Sequence, residues 1–284
     1  MPQRAKFLFR SKGKDMINVS IVVYQTEEAK IRNLIAVLRA SALIDRIFVV
    51  DNSSRAFSSA LLDADYIFNN ENLGYGRAHN IAIRQTLSEQ TPYHLVLNPD
   101  VTFDATILQE LIDYMEKHKD VASLMPQIYY PNGKRQHLCK LLPTPLDLLG
   151  RRFLPRWVMK KRNRRYELRD TGYKSIMNIP YLSGCFMLLR SDALREVGIF
   201  DERFFLYPED IDLTRRLHAC FRTVFYPHVS IVHEYGQGSY KSVRLLCWHM
   251  VNMCRYFCKW GWIKDPERKL MNQRCLKENM PSVK

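Results

Sequence analysis

The feature that most constrains the fold is the alternation of short apolar runs with helical patterns over the first hundred residues. Ile17 to Tyr24 reads as a buried strand, Glu27 to Ser41 carries Ile31, Leu34, Ile35 and Leu38 on one helical face, and Ile44 to Val50 repeats the strand. A short strand at Tyr66 to Phe68, a helix from about Tyr75 to Leu87 and a strand at Tyr93 to Leu97 complete a βαβαβ series. The pattern predicts an α/β fold with a mainly parallel central sheet flanked by helices. In such sheets ligands bind beyond the carboxyl ends of the strands. Polar residues collect there: Asp51-Asn52-Ser53-Ser54, Asn72-Leu73-Gly74 and Asn98-Pro99-Asp100. Tyr24-Gln25-Thr26-Glu27, after the first strand, contains no glycine, which argues against a dinucleotide fingerprint and hydride transfer.

The second half is organised around Gly198 to Leu213, where Glu209, Asp210 and Asp212 open a helix behind Pro208 and a strongly aromatic turn. Acidic residues suit the positive end of a helix, so capping alone is one reading. The other is a general base, because carboxylates beside Phe200, Phe204, Phe205, Leu206 and Tyr207 would sit in a partly dry cleft that raises their proton affinity. Asp212 and Arg216, four apart, can pair along the helix. Asp100, leaving a central strand, suits a divalent cation that bridges phosphates; a plain turn is the alternative. Gly184, inside the strand reading Tyr181 to Leu189, marks a close approach by a ligand or another backbone, or a bulge. His233 follows a strand and precedes a glycine-rich turn, a setting for phosphate or for a structural histidine. Thr223 to Tyr226 and Ser230 to Val232 read as two short strands, Tyr129 to Lys134 as a hairpin turn, and residues 143–178 as a Pro- and Arg-rich insert without period, a mobile loop or interfacial segment.

Net charge is +14, and its placement is uneven. Residues 1–14 carry five Lys or Arg and no acid, residues 151–169 nine against one Glu, and residues 240–284 ten against three acids, which leaves the body mildly acidic. Such basic segments suit an anionic membrane surface or a phosphate-bearing partner. No helix-turn-helix, zinc-finger or RNP pattern supports nucleic acid. No run of eighteen apolar residues occurs, and Phe7-Leu8-Phe9 is too short for a signal peptide. Seven cysteines without a paired spacing are expected to be reduced thiols of a cytoplasmic protein; Cys247, Cys254 and Cys258 share a helix face and lack zinc-site spacing. The last helix, Tyr240 to about Trp260, mixes Leu245, Trp248 and Trp260 with Lys241, Arg244, Arg255 and Lys259, which suits a membrane interface, packing on the domain, or both.

Taken together, Val50 to Ser54, Asn72 to Asn80, Leu97 to Asp100, Phe200 to Glu202 with Glu209 to Leu213, and His233 to Ser239 give a chain that resembles the family 2 glycosyltransferases of the GT-A fold, in the rhamnosyltransferase-like branch. The resemblance runs from about Ile17 to Ser242. It implies a basic extension over 1–16, a glycosyltransferase domain over 17–239 (a nucleotide-binding half to 125, then an acceptor half) and a basic helical region over 240–284. It also implies a nucleotide site formed by Tyr24, Asp51, Asn52, Asn72, Gly74, Arg77, Asn80, Asn98 and Asp100. Asp100 and His233 would hold Mg²⁺ or Mn²⁺, Asp210 or its neighbour Glu209 would be the base, and Gly184 and Asp212 would lie on the acceptor side. Asn98 stands where the family often carries the first acid of its metal motif, and Gln25 where Asn is frequent.

The expected function is inverting transfer from a nucleotide sugar, dTDP-rhamnose or a UDP-hexose, to a glycan or polyprenyl-diphosphate-linked acceptor in bacterial cell-surface polysaccharide synthesis. The protein would be peripheral on the inner face of the cell membrane. A nucleotide-sugar-binding scaffold without turnover and a nucleic-acid-binding protein are the rival readings.

Overall fold

The computed structural model describes residues 15–57, 63–234 and 243–280. The basic N-terminus and the Tyr235 to Ser239 part of the glycine-rich turn lie outside the described residues.

Parallel pairing begins where the apolar runs predict it. Strand β1 (Ile17–Val23) lies between β2 (Ile44–Asp51) and β4 (Tyr93–Leu97), and β3 (Asp65–Phe68) extends β2 outward, all parallel. Both faces of β1 are buried, which is why it reads as a continuous apolar run rather than an alternation. Helices α1 (Glu28–Arg39) and α2 (Tyr75–Ser88) make the crossovers, and α1 buries the Ile31, Leu34, Ile35 and Leu38 stripe. The short β5 (Val101–Thr102) and helix α3 (Ile107–Lys117) lead to β6 (Val121–Tyr129), which ends in the expected turn, with Gly133 N–H donating to the Tyr130 carbonyl.

The sheet is not parallel throughout. Its order is β3-β2-β1-β4-β10-β6-β11-β5, and β10 (Phe186–Arg190) runs antiparallel between β4 and β6. The register Phe186↔Leu97 brings the entry of β10 against the exit of β4, where Asn98 N–H donates to the Cys185 carbonyl at 3.0 Å. Strand β11 (Arg222–His233) is one strand rather than the two expected. Its register slips between Tyr226 and Ser230, where Pro227 cannot donate to the ladder. Its end pairs with β5, His233 opposite Val101, and the Glu234 N–H donates to the Asp100 carbonyl at 3.0 Å.

The insert corrects the sequence expectation of an aperiodic loop. Strand β7 (Cys139–Lys140) precedes it, and it contains helices α4 (Pro145–Phe153) and α5 (Arg156–Tyr166). Pro145 is tolerated at the first helical position, and Thr144 and Asp147 form a reciprocal capping box. Helix α5 escapes a periodicity test because its long basic side chains are solvated while Met159 and Tyr166 are buried. Strand β8 (Met177–Asn178) then edges β11, and β9 (Tyr181–Leu182) pairs with β7, Lys140 opposite Tyr181.

Helices α6 (Ser191–Val197), α7 (Glu209–Cys220), α8 (Val243–Trp260) and α9 (Pro266–Asn279) close one side. The first seven residues of α7, from Glu209 to Arg215, are all buried. Arg215 forms two 2.7 Å bonds to Asp265, also reaches Glu267, and stacks 4.0 Å from the Trp260 ring. Trp248 packs on Phe205 and Trp260 donates to Asp212, so the α8 tryptophans serve packing. The α8 surface instead exposes Cys247, Val251, Cys254 and Cys258, and all seven cysteines are unpaired.

Candidate active site

Asp210 is buried at the start of α7, where its Oδ2 accepts from the Gly184 N–H at 3.0 Å and from the Tyr181 hydroxyl at 3.4 Å. Glycine at 184 suits this approach, since a Cβ there would stand a tight 3.2 Å from the Asp210 Cβ. The Tyr75 hydroxyl donates to the Gly184 carbonyl (2.6 Å) and is also 3.0 Å from Asn98 Oδ1. Asn98, in turn, lies 3.4 Å from His233 Nε2, which is 3.3 Å from Asp100 Oδ1. One continuous series of contacts therefore joins the end of β11 to the start of α7. Asn98, His233, Gly184, Glu209 and Asp210 line a common cavity of about 330 Å³.

Two carboxylic acids share this desolvated space. Burial pushes the Glu209 carboxyl up, and the adjacent Asp210 charge pushes it further. Burial also raises Asp210, but the Lys140 charge and the Gly184 N–H oppose the rise. Asp210 therefore ionises first, and Glu209 holds its proton in the pair. Glu209 Oε2 is buried without a hydrogen-bond partner among the described residues.

At the other end, Asp100 Oδ1 is a buried oxygen with no hydrogen bond among the described residues, although His233 Nε2 is near. Burial pushes the His233 imidazole down, yet the Asp100 carboxylate 3.3 Å away and Cys185 outweigh it and raise it to about 10, so holding a cation requires the imidazole to release its proton. His233 is oriented from behind by Gln136, 3.1 Å from Nδ1. A hard cation fits an orphaned carboxylate oxygen beside an oriented imidazole. Among the described residues no group of three or more His, Cys, Asp or Glu side chains gathers, so most of its ligands would come from phosphate and water.

The remaining sequence candidates are spread over the strand ends and helix α2, outside this cavity. Asp51 is fully buried and accepts from Ser53 N–H and the Tyr66 hydroxyl. Asn52 donates to the Gly74 carbonyl, and Asn72 Oδ1 accepts from the Gly74 N–H. Gly74, at φ 82°, has the Phe205 carbonyl oxygen where a Cβ would go, so its glycine is needed for packing against the loop before α7. Asn80 clamps that loop by exchanging hydrogen bonds with the backbone of Phe200. Arg77 is exposed near Glu202, and Tyr24 is exposed beyond β1. Gln25 takes φ 51°, the left-handed region in which Asn is a common non-glycine residue. Asp212 turns away from the cavity: it is fully buried and pairs with Arg216, as its spacing predicts, and with Lys259 and Trp260.

Sequence reasoning passed over Tyr181, Lys140 and Arg151, which also line the cavity. No motif marks them, because the pairing of β7 with β9 and the fold of α4 bring them there. Tyr207 also lines the cavity, held at φ 95° and stacked on His249 of α8.

The model of glycosyl transferase family 2 matches residues 19–198. The chain belongs to glycosyl transferase family 2. Within the family it is rhamnosyltransferase-like. It is 32% identical over 180 residues to an N-acetylglucosaminyl-diphospho-decaprenol L-rhamnosyltransferase of Mycobacterium tuberculosis, a match covering 57% of this chain and 56% of that protein. It is 26% identical over 252 residues to the Escherichia coli rhamnosyltransferase WbbL, covering 84% and 92%. Among solved structures, a mannosyltransferase from Pyrobaculum calidifontis in complex with GDP-Man and Mn²⁺ aligns with a TM-score of 0.54 at 15% identity, over 93% of this chain and 72% of that one. TarS of S. aureus aligns with a TM-score of 0.55 at 13% identity, over 92% and 43%. These likenesses establish the GT-A fold.

A carboxyl whose proton affinity is raised by folding weakens the fold once pH exceeds its unfolded value, because the unfolded chain then releases a proton that the folded chain keeps. Glu209→Gln removes that cost. We expect the melting temperature of E209Q, relative to the unaltered protein, to climb between about pH 5 and about pH 8. A difference that stayed flat across this range would mean that Glu209 is not held protonated.

Proposed function

We propose that this protein is an inverting glycosyltransferase that moves a sugar from a nucleotide donor, dTDP-rhamnose or a UDP-hexose, to a glycan or polyprenyl-diphosphate-linked acceptor of bacterial cell-surface polysaccharide. The observation that carries the reading is that Asp210, a buried carboxylate of raised proton affinity, faces the same cavity as Asn98 and His233 at the strand ends. The lipid-linked acceptor class is supported by the mycobacterial relative, whose name specifies a diphospho-decaprenol substrate.

In this reading the nucleotide lies over the ends of β1 and β2, near Tyr24, Asp51, Asn52 and Asn72, with its diphosphate toward Asn98. Asp100 and His233 would hold Mg²⁺ or Mn²⁺, which supplies positive charge to the departing diphosphate. Asp210 takes the proton of the acceptor hydroxyl as that oxygen bonds to the anomeric carbon, and the bond from that carbon to the diphosphate breaks on the opposite face. The configuration inverts. Gly184 and Tyr181 fix the base through its Oδ2, and Glu209, neutral beside it, adds no second negative charge.

No helix among the described residues is long and apolar enough to cross a membrane. Peripheral attachment is supported by the insert, where Trp157 is 80% exposed beside Leu154 and Val158 and is followed by Lys160, Lys161, Arg162, Arg164 and Arg165. An exposed tryptophan next to a basic helix face suits an anionic lipid surface.

Thermal shift against UDP, dTDP, GDP and CDP, with and without Mn²⁺, tests the donor site. One diphosphate should raise the melting temperature only when the cation is present, and Asp100→Ala should abolish the rise. No shift with any nucleotide would remove the nucleotide-sugar reading. In flotation assays the protein should rise with anionic vesicles at low salt and not at high salt, and Trp157→Ala should weaken flotation. Indifference to vesicles would remove the membrane seat.

A further inference from the structure

The cavity wall beyond Asp210 carries a cation that the transfer chemistry does not use. Lys140, on β7, has its ammonium 4.9 Å from the centre of the Tyr181 ring, and the hydroxyl of that ring contacts Asp210. Its only resolved contact of this kind is aromatic, since no carboxylate of the described residues comes within ion-pair distance. Lys140 is half-buried, and this burial pushes it toward the neutral form, against which the Asp210 and Glu167 charges act only in part. Such a site is completed when a ligand brings the missing negative charge.

A second cation stands nearby. Arg151 of α4 lines the same cavity, lies 5.3 Å from the Tyr166 ring and bonds to Glu167. Glu167 is also bonded by Arg169, so one carboxylate serves both guanidinium groups. The order of contacts fixes which substrate this wall meets. From the Asp100–His233 end it runs through Asn98, Tyr75, Gly184, Asp210 and Tyr181 to Lys140, with the base between the cation ligands and the lysine. The donor diphosphate belongs to the first end and the acceptor to the second.

We propose that Lys140 and Arg151 form an anion subsite for a phosphate or diphosphate carried by the acceptor, which sets the acceptor hydroxyl against Asp210. The subsite rests on the transferase reading above and deepens it: the acceptor is a glycosyl phosphate or diphosphate rather than a neutral glycan. It stands beside the exposed apolar edge of α4 and α5, where Leu146 on α4 and Leu154 just after it are exposed while Leu148 and Arg151 of α4 line the cavity. A prenyl chain therefore has an apolar exit next to the phosphate position. An anion bound there also offsets the Lys140 charge that opposes protonation of Asp210, so the acceptor itself strengthens the base it needs.

The test uses farnesyl diphosphate, farnesol and inorganic pyrophosphate as probes in the presence of EDTA, so that no cation-dependent donor site forms. The full chain should bind farnesyl diphosphate, and bind farnesol roughly tenfold or more weakly, as expected for loss of charge-assisted hydrogen bonds. Lys140→Met, which preserves volume, should erase that preference, Lys140→Arg should keep it, and both should keep the Mn²⁺-dependent nucleotide shift and the melting temperature. Pyrophosphate bound as tightly as farnesyl diphosphate would assign the site to a free anion and overturn the lipid-linked acceptor. Unchanged farnesyl diphosphate binding in K140M would overturn the subsite. Loss of the nucleotide shift in K140M would assign Lys140 to the donor or to the fold, with the same consequence. Failure of the transferase reading looks different: the nucleotide shift is then absent from the unaltered protein while Lys140-dependent anion binding persists.

Discussion

Three carboxylates are buried within the first turn of α7, and much of the second half of the chain makes that burial tolerable. Buried charge is stable only when it is paired, hydrogen-bonded or neutralised by a proton, and α7 uses all three solutions. Asp212 is paired, with Arg216, Lys259 and the Trp260 indole converging on its two oxygens. Asp210 is hydrogen-bonded by Gly184 and Tyr181, and Glu209 retains its proton. The acid that is fully paired anchors the C-terminal helices, and the two that are not face the cavity.

That division explains the placement of α8. Its tryptophans, together with Asn252 and Lys259, hold the 201–208 loop and α7. The loop is held from the other side by Asn80 and by the close approach of Gly74 to Phe205. Residues that resemble ligand contacts in the sequence are therefore in part the clamp that positions the start of α7. The two halves of the chain meet through this clamp, so α2 and α7 are set in one frame.

The parallel half of the fold is legible because each of its strands is apolar along its length and each crossover helix carries a stripe, as in Ile17 to Val23 and Ile31 to Leu38. The antiparallel insertion of β10 is not legible, since nothing in Phe186 to Arg190 indicates which neighbours it takes. Helices α4 and α5 are hidden by Pro145 and by a run of basic side chains, and their stability comes from the Thr144–Asp147 cap and from contacts made far along the chain. In the site, Asp210, Asn98, Asp100 and His233 are recognisable because they stand at strand and helix ends. Lys140 and Arg151 are not, because a two-residue strand and a hidden helix deliver them to the cavity. Asp212 shows the converse: its position two residues from Asp210 suggests chemistry, and its partners make it an anchor.

The central claim is that a donor diphosphate and the base Asp210 share one cavity, with the cation ligands at its far end. Anomalous diffraction from crystals grown with Mn²⁺ and the nucleoside diphosphate that stabilises the protein tests it most directly. The account predicts a manganese peak in bonding contact with Asp100 Oδ1 and His233 Nε2, with the diphosphate turned toward Asp210. A nucleotide bound with its manganese away from both residues, or with its diphosphate facing away from α7, would contradict it.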